Sequence, residues 1–137
     1  MKLIDIAINK RGQGTVFLIP EESDDMRHAY NLIAKGDCIR GPTKRKVQKE
    51  TATGSSFSNR VRTTVTIRVE SIDFDTQTRI LGLRGSNIVQ NRYVKMGAYH
   101  TLYLEVKRIF GLRKRKWDTF HLDLMDVACF PTSPNKL

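Results

Sequence analysis

One alternation narrows the fold more than any other feature. Val61, Thr63, Val65, Ile67 and Val69 alternate with Arg62, Thr64, Thr66, Arg68 and Glu70. A period of two puts apolar and polar side chains on opposite faces, as in a strand buried on one side. After Val69 the apolar phase flips to Ile72 and Phe74. A flip inside one strand predicts a bulge or sharp bend, the device that curls a sheet toward a barrel.

Other segments fit around that strand. "LIDIAI" (3–8) and "GTVFLIP" (14–20) read as strands separated by the turn signal "RGQG". Ser23 or Asp24 can cap a helix over about 23–34, where Met26, Ala29, Tyr30 and Ile33 form a stripe and Gly36 gives the stop. A third strand follows, which Gly41 and Pro42 are expected to interrupt. "DTQT" turns the chain after the long strand, and "RILGLRG" returns. "AYHTLYLEV" (98–106) places Leu102, Leu104 and Val106 on one face, and Trp117, Phe120, Leu124, Met125 and Ala128 predict a helix over 117–128. The expectation is a mainly β domain: a small, strongly bent antiparallel β-barrel of six or seven strands. One helix lies between strands 2 and 3 and another at the C-terminal end.

The 137 residues suit one domain. "FPTSPNKL" reads as a linker stub over 130–137, leading to domains beyond it. The net charge of +10 points to an acidic partner: nucleic acid, an anionic membrane or an acidic protein. No stretch nears the ~20 apolar residues of a membrane span. The start, "MKLIDIAINK", reads as entering structure directly rather than as a signal peptide. Two cysteines, Cys38 and Cys129, form no framework of disulfides and suggest a reducing compartment, the cytoplasm.

The charge is concentrated. "KRKVQKETATGSSFSNRVRT" (44–63) holds six Lys or Arg and one acid, Glu50. Paired as a hairpin with 59–73, residues 37–50 would span roughly 45 Å at ~3.3 Å per residue. A domain of this size has a radius of gyration of only ~14 Å. The hairpin is therefore expected to project as an arm, with Lys44, Arg45, Lys46, Lys49, Arg60 and Arg62 near its distal half. An edge hairpin whose cations block aggregation is the plainer alternative. Clustered like charge is costly, and polyanion binding offsets that cost. RNA fits better than duplex DNA, because no recognition helix or zinc finger is present. A second basic run, "KRIFGLRKRKW", has six cations and no acid. It reads as a solvated helix entrance or a second phosphate contact. Neither run lies on a helix with a large apolar face, which argues against a membrane.

Catalytic motifs are missing: GxxxxGK, HExxH and GxSxG do not occur. His28, His100 and His121 read as structural. Glu21, Glu22, Asp24 and Asp25 are the one acidic cluster, and could hold Mg²⁺ in a metal-dependent endoribonuclease. Acids at a helix start also complement the helix dipole, which explains them without a metal. Asp73 and Asp75 flank a turn and need no metal either. The expectation is no enzyme, no cofactor and no small-molecule substrate.

Longer strings then carry a resemblance. "PEESDDMRHAYNLIAKGD", "RKVQKE", "TGSSFSNRVRTTVTIRVESIDFD" and "YVKMGAYHTLYLE" resemble the N-terminal domain of the Pelota family, ribosome-rescue factors related to class-1 eukaryotic release factors. The likeness runs from residue 1 to about 129. It implies an Sm-like β-barrel, with central and C-terminal domains beyond 129. It implies action on stalled ribosomes with a translational GTPase of the elongation-factor type, in no-go and non-stop mRNA surveillance. The domain would enter the empty A site, with small-subunit rRNA near the decoding centre and the mRNA channel as its surroundings. The loop reaching toward that channel maps to 44–62. RNA contact thus falls to Lys44, Arg45, Lys46, Lys49, Ser55, Asn59, Arg60 and Arg62. The stop-codon motif NIKS is absent, against codon reading. An Sm-like protein-interaction module, pairing through strand edges, is the further alternative.

Overall fold

The computed structural model describes residues 1–50 and 56–130, with side chains described outside 44–61. Seven strands and two helices follow in the order β1 (Lys2–Ile8), β2 (Gly14–Ile19), α1 (Asp25–Leu32), β3 (Cys38–Glu50), β4 (Ser56–Asp75), β5 (Ile80–Asn87), β6 (Tyr99–Tyr103), β7 (Phe110–Lys114) and α2 (Thr119–Cys129). All pairings are antiparallel, in one sheet ordered β1-β2-β7-β3-β4-β5-β6.

The alternation sets the core. Val65, Ile67 and Val69 of β4 are buried, as are Val16 and Leu18 of β2, Ile39 of β3, Leu81 and Leu83 of β5, and Leu112 of β7. The phase flip is a bulge: the β4–β5 register shifts between Val69 and Ser71, leaving Glu70 extra. The sheet then curls upon itself. β3 and β6 are three strand spacings apart, roughly 14 Å if flat. Yet a Cβ on Gly41 of β3 would lie 3.3 Å from Leu102 Cδ2 of β6. The ladder does not close, since among the described residues β1 and β6 remain its two edges.

β3 is continuous through Gly41 and Pro42, where an interruption was expected. β7 pairs with β3 only at Cys38–Arg40. At position 42 the strand has one partner, so the missing proline N–H has an open side to face.

The helices are shorter than the sequence suggests. α1 buries Met26, Ala29 and Leu32, with Ile33 just beyond its end. Tyr30 is exposed and stacks on Phe74, ring centroids 5.2 Å apart. Asp24 occupies the N-cap position without a side-chain cap bond. α2 starts at Thr119 behind Asp118, which accepts from the His121 N–H. Trp117 precedes the helix and is buried, its Nε1–H donating to the Gly14 carbonyl at 2.9 Å. Phe120, expected in the core, is exposed. So is Val106, which lies past the end of β6.

Candidate nucleic-acid interface

Beyond Arg40 and Ile67, β3 and β4 have only each other as ladder partners. Their pairing runs from Gly41↔Val65 out to Glu50↔Ser56. That two-stranded ribbon is roughly 30 Å long at ~3.3 Å per residue. Its backbone carries Lys44 opposite Arg62, Arg45 opposite Val61, Lys46 opposite Arg60, Val47 opposite Asn59 and Lys49 opposite Phe57. Ser55 lies outside the described residues. Lys44 and Arg62 share one rung, in the proximal half of the ribbon rather than its distal half. The Arg62 guanidinium reaches Glu105 at 3.3 Å, with both groups partly exposed. Asn91 braces the root of the ribbon, donating to the Thr64 carbonyl at 2.9 Å.

The second basic run is not a helix entrance: most of it is a turn and a strand, and its cations are divided between the two faces of the sheet. Val106 and Lys107 form a turn that Arg108 closes by donating its N–H to the Glu105 carbonyl, and Phe110–Lys114 is β7. Lys114 points inward and is buried, its ammonium bound to Asp37 and 5.6 Å from the Trp117 ring centroid. Arg113, one residue earlier, is exposed on the outer face. Arg40 of β3 is also exposed on that face, opposite Gly111. Arg113 lies in the second basic run, whereas Arg40 did not stand out in the sequence. For Arg40 the signal was available in its alternation with Ile39.

Three of the four acids in the cluster are engaged in ion pairs, Glu21 and Asp25 with the Met1 ammonium and Asp24 with Arg79. Asp25 is buried and accepts from the Met1 ammonium at 2.8 Å and from the N–H groups of Glu21 and Glu22. Burial works against its charge, but the ammonium and the two N–H groups outweigh this and hold its carboxyl below the usual range. Burial likewise opposes the Met1 amine, which Asp25 and Glu21 nevertheless raise. Asp24, 70% exposed, pairs with Arg79, 46% exposed, at 3.0 Å, a weak surface contact. Asp75 accepts from the Gln77 and Thr78 N–H groups in a turn, as its position suggested, and these bonds lower its pKa. Among the described residues no three His, Cys, Asp or Glu converge on a point that could hold a metal ion. Nor is any helix among them long and apolar enough to cross a membrane.

Comparison with known proteins places this architecture. The family described as the Pelota N-terminal domain matches residues 1–129. Protein pelota of Drosophila melanogaster is 64% identical over 132 residues, covering 96% of this chain and 33% of that protein. Among solved structures, Saccharomyces cerevisiae Dom34 superposes with a TM-score of 0.72 at 23% identity, covering 95% of this chain and 34% of that one. It is described as a translation termination-like factor in RNA quality control pathways that interacts with Hbs1. An archaeal Pelota, ribosome-bound with ABCE1, gives 0.71 at 23% identity over 95% of this chain and 37% of that one. The chain spans about a third of the length of these relatives.

Proposed function

The chain belongs to the Pelota family, whose N-terminal domain covers residues 1–129, and from that premise we propose that it is the RNA-contacting domain of a ribosome-rescue factor. The observation that carries the reading is the ribbon. It extends past every other strand pairing, and its sequence from 44 to 63 holds six cations against one acid. A thin cationic ribbon suits a channel walled by phosphate, because contact on both faces releases counterions from both walls. The domain enters the empty A site of a stalled ribosome, and the arm reaches toward the decoding centre and mRNA channel. Lys44, Arg45, Lys46, Lys49 and Arg60 meet phosphate, with Ser55 and Asn59 as further polar contacts. Arg62 serves at the root.

The domain acts by contact rather than catalysis, in the cytoplasm, in no-go and non-stop mRNA surveillance. It forms one part of a longer protein whose central and C-terminal domains engage the GTPase. A ribosome-bound archaeal Pelota and a Dom34 that interacts with Hbs1, both of this fold, support that assignment of partners.

The test replaces Arg45, Lys46 and Lys49 with Ala in the full-length protein and measures binding to stalled ribosomes across a salt series. Each lost phosphate contact removes ~0.7 from the log–log slope on single-stranded RNA, so the triple variant should lose about 2. Unchanged affinity and slope would remove the arm as the contact.

A further inference from the structure

The outer face of the sheet carries a second feature beside the arm. One cross-strand row runs Phe17, Gly111, Arg40, Thr66, and the next runs Thr15, Arg113, Cys38, Arg68. Phe17 is half-buried although it points away from the core. Its ring packs on the bare backbone of Gly111, where a Cβ would sit 2.9 Å from Phe17 Cε1 and 3.2 Å from Cδ1. Only glycine leaves the ring that place.

Three hollows of about 510, 390 and 270 Å³ meet at Arg40, which lines all three, and Phe17 lines the first and the last. Their walls bring together Arg40, Arg92, Lys107, Arg108 and Arg113, and no carboxylate lines any of them among the described residues. None of these five cations is in an ion pair among the described residues. The Lys107 turn is held in a costly shape: φ is +70° at a non-glycine residue, fixed by its N–H donating to the Pro20 carbonyl at 2.7 Å. Pro42 and Thr64, at the root of the arm, line the 510 Å³ hollow. A strand following the arm would be led onto this face.

We infer that this face binds single-stranded RNA, with one base stacked on Phe17 and the flanking phosphates held by Arg40 and Arg113. The inference rests on the reading that RNA is the partner, but not on the arm. A sheet aromatic ringed by guanidinium groups is the arrangement that holds unpaired bases, because every base offers a π-face and every linkage a charge. An acidic peptide would satisfy the cations but gives the ring no planar partner.

Fluorescence anisotropy on the 137-residue chain tests this with a ten-nucleotide RNA and an abasic strand of equal length. Stacking of one base is worth a factor of roughly ten in affinity. F17L should weaken the base-bearing strand by about that factor and leave the abasic strand unchanged. G111A, which displaces the ring without removing it, should act alike. The Arg40→Gln/Arg113→Gln pair should weaken both strands and reduce the salt slope by ~1.4. Wild-type binding by both F17L and G111A overturns the inference, as does a hexaglutamate peptide displacing the RNA equally well from wild type and F17L. The arm variant separates the two readings. If it alone abolishes binding, the face is refuted and the arm stands. If the Phe17 variants alone lose affinity, the arm is refuted and the face stands.

Discussion

Arg113 and Lys114 are adjacent cations on one strand, and the sheet gives them opposite tasks. Lys114 is buried at 3% side-chain exposure and held by Asp37. Arg113 stands in water on the other face, with no ion-pair partner among the described residues. The difference follows from the period of two, not from residue type. Charge in this protein thus divides into a structural set facing inward and an available set facing outward. Net charge alone does not distinguish them.

The sharpest way to break that division is to remove Asp37. Its carboxylate binds Lys114 and also accepts the Ala34 N–H at 2.9 Å. Asp37→Ala leaves a buried ammonium unpaired, and such losses cost ~3–5 kcal/mol. Arg113→Ala should stay within about 0.5 kcal/mol of wild type, as ordinary surface changes do. Urea unfolding of the two variants measures the contrast directly. Equal midpoints would mean that burial does not sort the cations.

A smaller effect tests the other inward pair. Asp25, lowered by the Met1 ammonium and two N–H groups, contributes stability above its unfolded pKa of ~3.9 and loses it as pH falls through the folded value. The Met1 amine, raised by Asp25 and Glu21, contributes below its unfolded value of ~8 and loses it as pH rises through the folded one. The pair is therefore fully effective from about pH 4 to pH 8. Asp25→Asn should cost about 2 kcal/mol inside that window and less toward either end. Thermal unfolding over pH 3–10 would show it, and a variant parallel to wild type at every pH would refute it.

How much of this was legible follows the same division. The β4 alternation and its flip gave the long strand, the bulge and the inward row Val65, Ile67, Val69, because burial on one face writes itself into a period of two. β7 was not legible. Its inward row ends in a charge, Lys114, and its outward row begins with a glycine, Gly111, so hydrophobicity does not alternate. Both exceptions answer to residues distant in sequence, Asp37 and Phe17, which only the fold brings near. Phe120 misled for the converse reason: it keeps helical spacing with Leu124, yet α2 turns it to solvent. The arm's cations were plain in the sequence. The cations gathered at Arg40 were legible only in part: Lys107, Arg108 and Arg113 lie in the second basic run, while Arg40 and Arg92 are brought to them by the fold.

Arg62 lies on the boundary between the two sets, and it gives the smallest effect. It faces outward at the root of the arm, but Glu105 engages it at 3.3 Å with side-chain exposures of 34% and 44%. A pair so exposed contributes at most ~1 kcal/mol and weakens with salt. If Arg62 belongs with the available cations, Glu105 competes with RNA for it, and removing the acid should help binding. Glu105→Gln should then leave stability within about 0.5 kcal/mol and raise RNA affinity at low salt by no more than about fivefold, the equivalent of the lost pair. The gain should disappear at high salt. If Arg62 is instead a strut that sets the angle of the ribbon, the same variant would weaken binding, and the weakening would persist at every salt concentration. Anisotropy at two ionic strengths decides which side of the division Arg62 occupies.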